Sequence, residues 1–139
     1  MPLNVELVTP EGEIWAGTAG LVIAKTQEGD IGVMGGHSPV LGILAEGSVV
    51  RILPGYGGSG TDGDEVAAAV SGGFFSVADD RVSILARQAQ LGSAVDQPSA
   101  RAALDDALQE GAAPEGGESA DVRYLRALLS AAGDSAGTP

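Results

Sequence analysis

Up to about Gln90 the chain is cut into short runs of β-branched and apolar residues, each closed by a turn residue. Turn signals roughly 8–12 residues apart with β-branched enrichment are the pattern of an all-β sandwich or barrel. Val5–Thr9 runs into Pro10-Glu11-Gly12, where Pro presets one backbone angle and Gly permits a positive one. Extended runs follow at Glu13–Trp15, Leu21–Thr26, Ile31–Met34, Val40–Leu44 and Ser48–Leu53, then at Glu65–Val70, Phe74–Ala78 and Arg81–Ala86. The last two flank Asp79-Asp80 as the arms of a tight hairpin flank its turn.

Pro54–Asp64 is too rich in glycine for a strand interior and is expected to be a hairpin loop at the surface. After about Gly92 the composition turns to Ala, Asp and Glu. Asp96 suits an N-cap and Pro98 the first helical turn, with Ala100, Leu104, Ala107 and Leu108 on one helical face. Gly111 and Pro114–Gly117 end that helix. A second is expected from Ser119, with Val122, Leu125, Leu128, Leu129 and Ala132 as its apolar stripe, Gly133 at its C-terminal cap and Asp134–Pro139 as a tail. Helices this short are marginal alone, so they need a surface to pack on.

At 139 residues the chain holds one well-buried domain and a small appendage. With 7 basic against 19 acidic residues the net charge is −12, which repels nucleic-acid phosphates and anionic lipid. Basic or apolar partners fit better. The absence of cysteine removes disulfides, thiolate metal sites and cysteine nucleophiles. No basic stretch followed by an apolar run opens the chain, so no signal peptide is expected. No apolar run approaches the roughly 20 residues of a spanning helix, so the protein is expected to be soluble.

The single histidine, His37, lies among Gly29, Gly32, Gly35, Gly36 and Pro39. Such a residue can be a ligand, a base or a contact residue. No nucleophile and carboxylate accompany it at a recognisable spacing, and one His without Cys makes no zinc site. Base rates favour a structural or contact role. Asp62, Asp64 and Glu65 invite a calcium reading, but the spacing lacks the further ligands of an EF-hand loop, so a solvated hairpin tip is the simpler reading. The glycines of 29–36 sit between strand and strand, whereas phosphate-cradling loops lead from strand into helix. From the residues alone the chain reads as a binding or structural module without catalytic, cofactor or metal sites. A stand-alone acidic sandwich that binds a ligand or calcium is the alternative.

Three blocks in order then resemble the epsilon subunit of F-type ATP synthases (delta in mitochondrial naming). Glu28-Gly29-Asp30-Ile31-Gly32-Val33 with Gly36-His37-Ser38-Pro39-Val40-Leu41 is similar to that family's E-G-(E/D)-(I/L)-G-(I/V)…G-H-x-P-(L/V)-(L/V) signature. Val5–Gly12 with Ile14–Gly17 resembles its opening strand pair, and Ser71–Val77 with Val82–Ala86 its last hairpin. The resemblance implies a mainly β chain: a two-sheet β-sandwich over residues 1–90, then a short α-helical hairpin over 91–139. It implies a non-catalytic rotor subunit that couples proton flow to ATP synthesis, at the cytoplasmic face of a bacterial plasma membrane. The sandwich is expected to dock on the gamma subunit and the c-ring through an edge comprising Glu28, Asp30, Gly36, His37, Ser38 and Pro39.

In bacterial relatives the C-terminal helices can reach the alpha/beta catalytic head and suppress hydrolysis, aided by basic residues. Here Arg101, Arg123 and Arg126 are the candidates, against eight acidic residues from Asp96 to Asp134. Strong electrostatic latching is therefore not expected. Some relatives bind ATP through (I/L)-D-x-x-R-A. This chain has Val95-Asp96-Gln97-Pro98-Ser99-Ala100, with Ser99 in place of the arginine whose fork would hold phosphates, so ATP binding is not expected.

Overall fold

The computed structural model describes residues 2–53, 65–110 and 119–133. Among them run β1 (Leu3–Thr9), β2 (Gly12–Ala19), β3 (Leu21–Thr26), β4 (Gly29–Met34), β5 (Val40–Ile43), β6 (Ser48–Leu53), β7 (Val66–Ser71), β8 (Phe74–Ala78), β9 (Arg81–Leu85) and β10 (Gln88–Leu91). A 3-10 turn at Gly92–Ala94 then leads to α1 (Gln97–Glu110) and α2 (Ala120–Ala131). The strands form two five-stranded sheets, ordered β2-β1-β9-β8-β5 and β10-β7-β6-β3-β4. The β1–β9 pair is parallel, and the other pairs are antiparallel.

The period of two decides which side chains go inside. On β1, Leu3, Val5, Leu7 and Thr9 are buried while Asn4 is exposed. The inner faces of both sheets contribute to one apolar cluster that includes Leu3, Leu7, Val22, Val50, Phe75, Val77 and Ile84. At one corner the sheets are stitched together: the Gln27 N–H donates to the Ile43 carbonyl (3.1 Å) and the Ala45 N–H to the Lys25 carbonyl (2.9 Å).

The expected sandwich and helical pair are present, with differences in extent. β2 runs from Gly12 to Ala19, well beyond the three residues expected, and β10 is a strand that sequence pattern does not foretell. β10 contains no β-branched residue and pairs with β7 in register Leu91↔Ala68, so tertiary context makes it a strand. The glycine-rich loop, the Pro114–Gly117 break and the Asp134–Pro139 tail lie outside the described residues.

Both helices begin where their caps predict. The Asp96 carboxylate accepts from the Ser99 N–H (3.4 Å) and hydroxyl (2.9 Å), and the Ser119 hydroxyl accepts from the Val122 N–H (3.2 Å). Gly133 follows α2 with φ of 85°. The helices share a second cluster of Ala100, Leu104, Val122, Ala127, Leu128 and Leu129, to which the sandwich contributes buried Ala69 and half-buried Val49. Leu108, expected on the apolar face of α1, is instead exposed. The reason is that α2 lies on β6 and β7 while α1 packs against α2, and one neighbour covers a narrower stripe than four residues.

Two glycines let the backbone of α2 come close to the sandwich. A Cβ on Gly47 would stand 2.7 Å from the Tyr124 backbone nitrogen and closer still to Arg123, and Gly47 also holds φ of 63°. A Cβ on Gly92 would run into the Ala131 carbonyl. Beside Gly47, the Glu46 carboxylate pairs with Arg87 (2.9 Å) and with Arg123 of α2 (3.5 Å). Gly47→Ala is therefore expected to lift α2 and cost about 1–3 kcal/mol in denaturant unfolding, while Trp15, on β2, reports an intact sandwich.

Burial raises the Tyr124 phenol above the ordinary tyrosine value of 10.0. The folded chain thus holds this proton more tightly than the unfolded chain. The corresponding stability is complete below about pH 10 and is lost as pH rises through the folded value. Thermal melts should show an alkaline decline that Tyr124→Phe reduces.

Candidate docking edge

β4 and β5 are the outer strands of the two sheets at the same side of the sandwich. At one end of β4 lie Glu28 and Asp30, both exposed. Their turn is set by Thr26, whose hydroxyl donates to the Gly29 carbonyl (2.7 Å) and accepts from the Glu28 N–H (3.1 Å). Asp30 stands opposite Lys25 in the β3–β4 ladder, a cross-strand pair of opposite sign. Gly36, His37, Ser38 and Pro39 lie beyond the other end of β4. Four strand steps carry the chain roughly 13 Å from Asp30 to Met34, and the histidine loop follows the turn beyond it. The structure thus places the six sequence-derived residues along one edge in two groups, not in one cluster.

The second group is shaped by hydrogen bonds. The His37 N–H donates to the Met34 carbonyl (3.1 Å), and His37 Nδ1 lies 2.7 Å from the Ser38 carbonyl oxygen. A carbonyl only accepts, so the neutral ring carries its proton on Nδ1. The Gly36 N–H donates to Asp80 Oδ1 at 2.7 Å, across 44 positions of sequence. Asp80 belongs to the Asp79-Asp80 turn between β8 and β9, where both residues take positive φ, 52° and 59°. A type I′ turn requires this of its two central residues. The hairpin was legible in the sequence; the reach of Asp80 to the histidine loop was not.

Pattern reading also missed an apolar row. Leu41 is 71% exposed, Ile43 56%, Met34 50% and Phe74 44%. Ile43 pairs with Phe74, Phe74 with Leu85, and Leu85 with Val8, so one row crosses four strands on the outer face of the first sheet. The signal lay in Val40-Leu41-Gly42-Ile43-Leu44, where no alternate position is polar. Sheets with one solvated face alternate apolar and polar residues. A continuous apolar patch rimmed by polar residues marks an interaction site.

Of the tail arginines, Arg123 is drawn to Glu46, so α2 presents it to the sandwich. Arg126 lines a crevice of about 390 Å³ with Lys25, Asp30 and Arg51, and Arg101 lies on the exposed side of α1. At the position of the family's nucleotide motif, Asp96 and Ser99 hydrogen-bond each other as a helix cap. Glu65 pairs with Arg51 at 2.6 Å, which occupies one carboxylate of the calcium reading. Asp62 and Asp64 lie outside the described residues. Among the described residues no group of three His, Asp or Glu is arranged to hold a metal, and no helix is long and apolar enough to cross a membrane.

An edge with a shaped loop, an apolar row and acidic residues can hold another protein. Comparison with known proteins gives it a context. Residues 2–92 match the family described as ATP synthase, delta/epsilon chain, β-sandwich domain. An ATP synthase epsilon chain of Thermobifida fusca (strain YX) is 56% identical over 109 residues, 78% of this chain and 76% of that one. Another, from Streptomyces avermitilis, is 46% identical over 126 residues, 91% of this chain and 94% of that one. The fold is similar to that of a chain in the cryo-EM structure of the Euglena gracilis mitochondrial ATP synthase OSCP/F1/c-ring, with a TM-score of 0.65 and 21% identity over 97% of this chain and 79% of that one. The chain belongs to the ATP synthase delta/epsilon family, accessory subunits that are not catalytic by themselves. That membership sets aside the stand-alone calcium-binding alternative.

The hydrogen bond to the Ser38 carbonyl makes the His37 tautomer a direct test of the loop geometry. Imidazole nitrogen NMR near neutral pH is expected to show the proton on Nδ1. A predominance of the Nε2–H form, as in free histidine, would contradict the loop conformation.

Proposed function

We propose that the chain serves in the rotor of a proton-translocating F-type ATP synthase, docking through its sandwich so that proton flow is coupled to ATP synthesis. The row of Val8, Leu85, Phe74 and Ile43, continued by Leu41, carries this reading. An enduring subunit contact is centred on buried apolar and aromatic side chains with a polar rim, and this row offers apolar and aromatic side chains across four strands. In this reading the gamma subunit covers the row and the His37 loop. The Glu28–Asp30 end meets polar loops of the c-ring, where a basic residue suits the acidic chain.

The sandwich of residues 1–90 is the docking domain and the helical hairpin of 91–139 the regulatory one. A contact of Arg123 with the alpha/beta head, which would modulate hydrolysis, needs its pair with Glu46 to break first. The reading places the chain on the cytoplasmic face of the bacterial plasma membrane, held there through the complex.

Reconstitution with gamma and c-ring from the same source tests this. Ile43→Asp or Phe74→Asp is expected to weaken assembly by roughly tenfold or more, with the sandwich still folded. A chain ending at Gly92 should assemble like the full chain. Normal assembly of both aspartate variants would refute the apolar row as the interface.

A further inference from the structure

The turn between β8 and β9 is built from the wrong residues for ease of folding. Its two central positions both have positive φ, which Asn-Gly or Gly-Gly satisfies without strain, yet they are Asp79 and Asp80. A non-glycine residue in this region carries a conformational cost, smaller for Asp than for most. What Asp80 gains for it is on the page: its Oδ1 accepts the Gly36 N–H at 2.7 Å, and its backbone carbonyl accepts the Asn4 N–H at 2.8 Å. Asp79 is exposed, and Asp80 is half-buried between the hairpin and the loop.

The loop it holds has little other support. Gly36 takes φ of 83°, and nothing lies within 4 Å of where its Cβ would stand. Among the described residues, the remaining bonds of the loop, from the His37 N–H to Met34 and from the His37 ring to Ser38, are to its own neighbours in sequence. Between the ends of β4 and β5, the carboxylate of Asp80 is therefore the loop's side-chain tie to the rigid sandwich among the described residues. An amide bond to a charged acceptor is also the stronger kind.

We propose that Asp80 is a positioning residue: through Gly36 it holds the loop of Gly36, His37, Ser38 and Pro39 in the conformation that meets the partner, so that docking does not have to order it. This rests on the docking reading above. Ordering a loop at the moment of association lowers affinity, so a loop fixed beforehand binds more tightly.

Glycine and asparagine substitutions separate positioning from general stability. Asp80→Gly removes the carboxylate but accepts positive φ, so the melting temperature should hold or rise while Gly36 amide exchange accelerates by about tenfold to a hundredfold. Asp79→Gly eases the same turn and should leave Gly36 protected. Asp80→Asn keeps an oxygen acceptor and tolerates positive φ, so it should restore most of the protection. Weaker assembly of Asp80→Gly with gamma, alongside the faster exchange, supports the proposal. Unchanged Gly36 exchange in Asp80→Gly overturns it, as does a fall in melting temperature with exchange rising throughout the sandwich. Faster exchange confined to the loop, with assembly unchanged, shows that Asp80 orders the loop and removes the loop from the docking surface. Failure of the aspartate variants on the apolar row to disturb assembly is a separate result and bears on the docking reading alone.

Discussion

The parallel ladder between β1 and β9 joins the beginning of the sandwich to its last hairpin, in register from Asn4↔Arg81 to Val8↔Leu85. Without it the β1–β2 pair would have no place in the first sheet, because β1 is the strand that links β2 to the other three. The same ladder lays Val8 beside Leu85, which completes the apolar row, and brings Asn4 to the Asp80 carbonyl. Closing so long a loop to form this ladder is entropically costly. Its inner-facing Val5, Leu7, Val82 and Ile84 are all buried, and that burial offsets the closure.

The helical pair is attached by different means. It has its own apolar cluster, and where α2 meets the sheet the residues are small: Ala69 on β7, Gly47 and Gly92 at the ends, Ala127 on the helix. Close backbone approach gives many weak contacts over a short distance, with Glu46 adding charge at one end. The sandwich core takes none of its buried members from the helices. The inner faces of the two sheets are therefore packed independently of the helices.

The legible parts of the chain were those in which a local rule decides the outcome. Turn residues and β-branched runs placed most of the strands, and Asp96 and Ser119 placed both helix starts, because caps and turns act over three or four residues. β10 escaped because Gln88-Ala89-Gln90-Leu91 has no strand preference of its own and is recruited by the free edge of β7. At the site, glycine and histidine chemistry singled out the loop of residues 36–39. The bond from Gly36 to Asp80 and the row from Ile43 to Val8 depend on register between strands far apart in sequence, which no local pattern encodes. The separation of Asp30 from His37 is by contrast local: close in sequence, they are held apart by the length of β4.

β5 is four residues of Val-Leu-Gly-Ile at the rim of a sheet, with Leu41 and Ile43 turned outward. Such an edge invites a second copy to pair with it, the first step toward aggregation. Its brevity limits how long a ladder could form. The charge of −12 then makes two free copies repel one another, while a basic partner is drawn in. Acidity thus opposes the self-association that an exposed apolar edge favours.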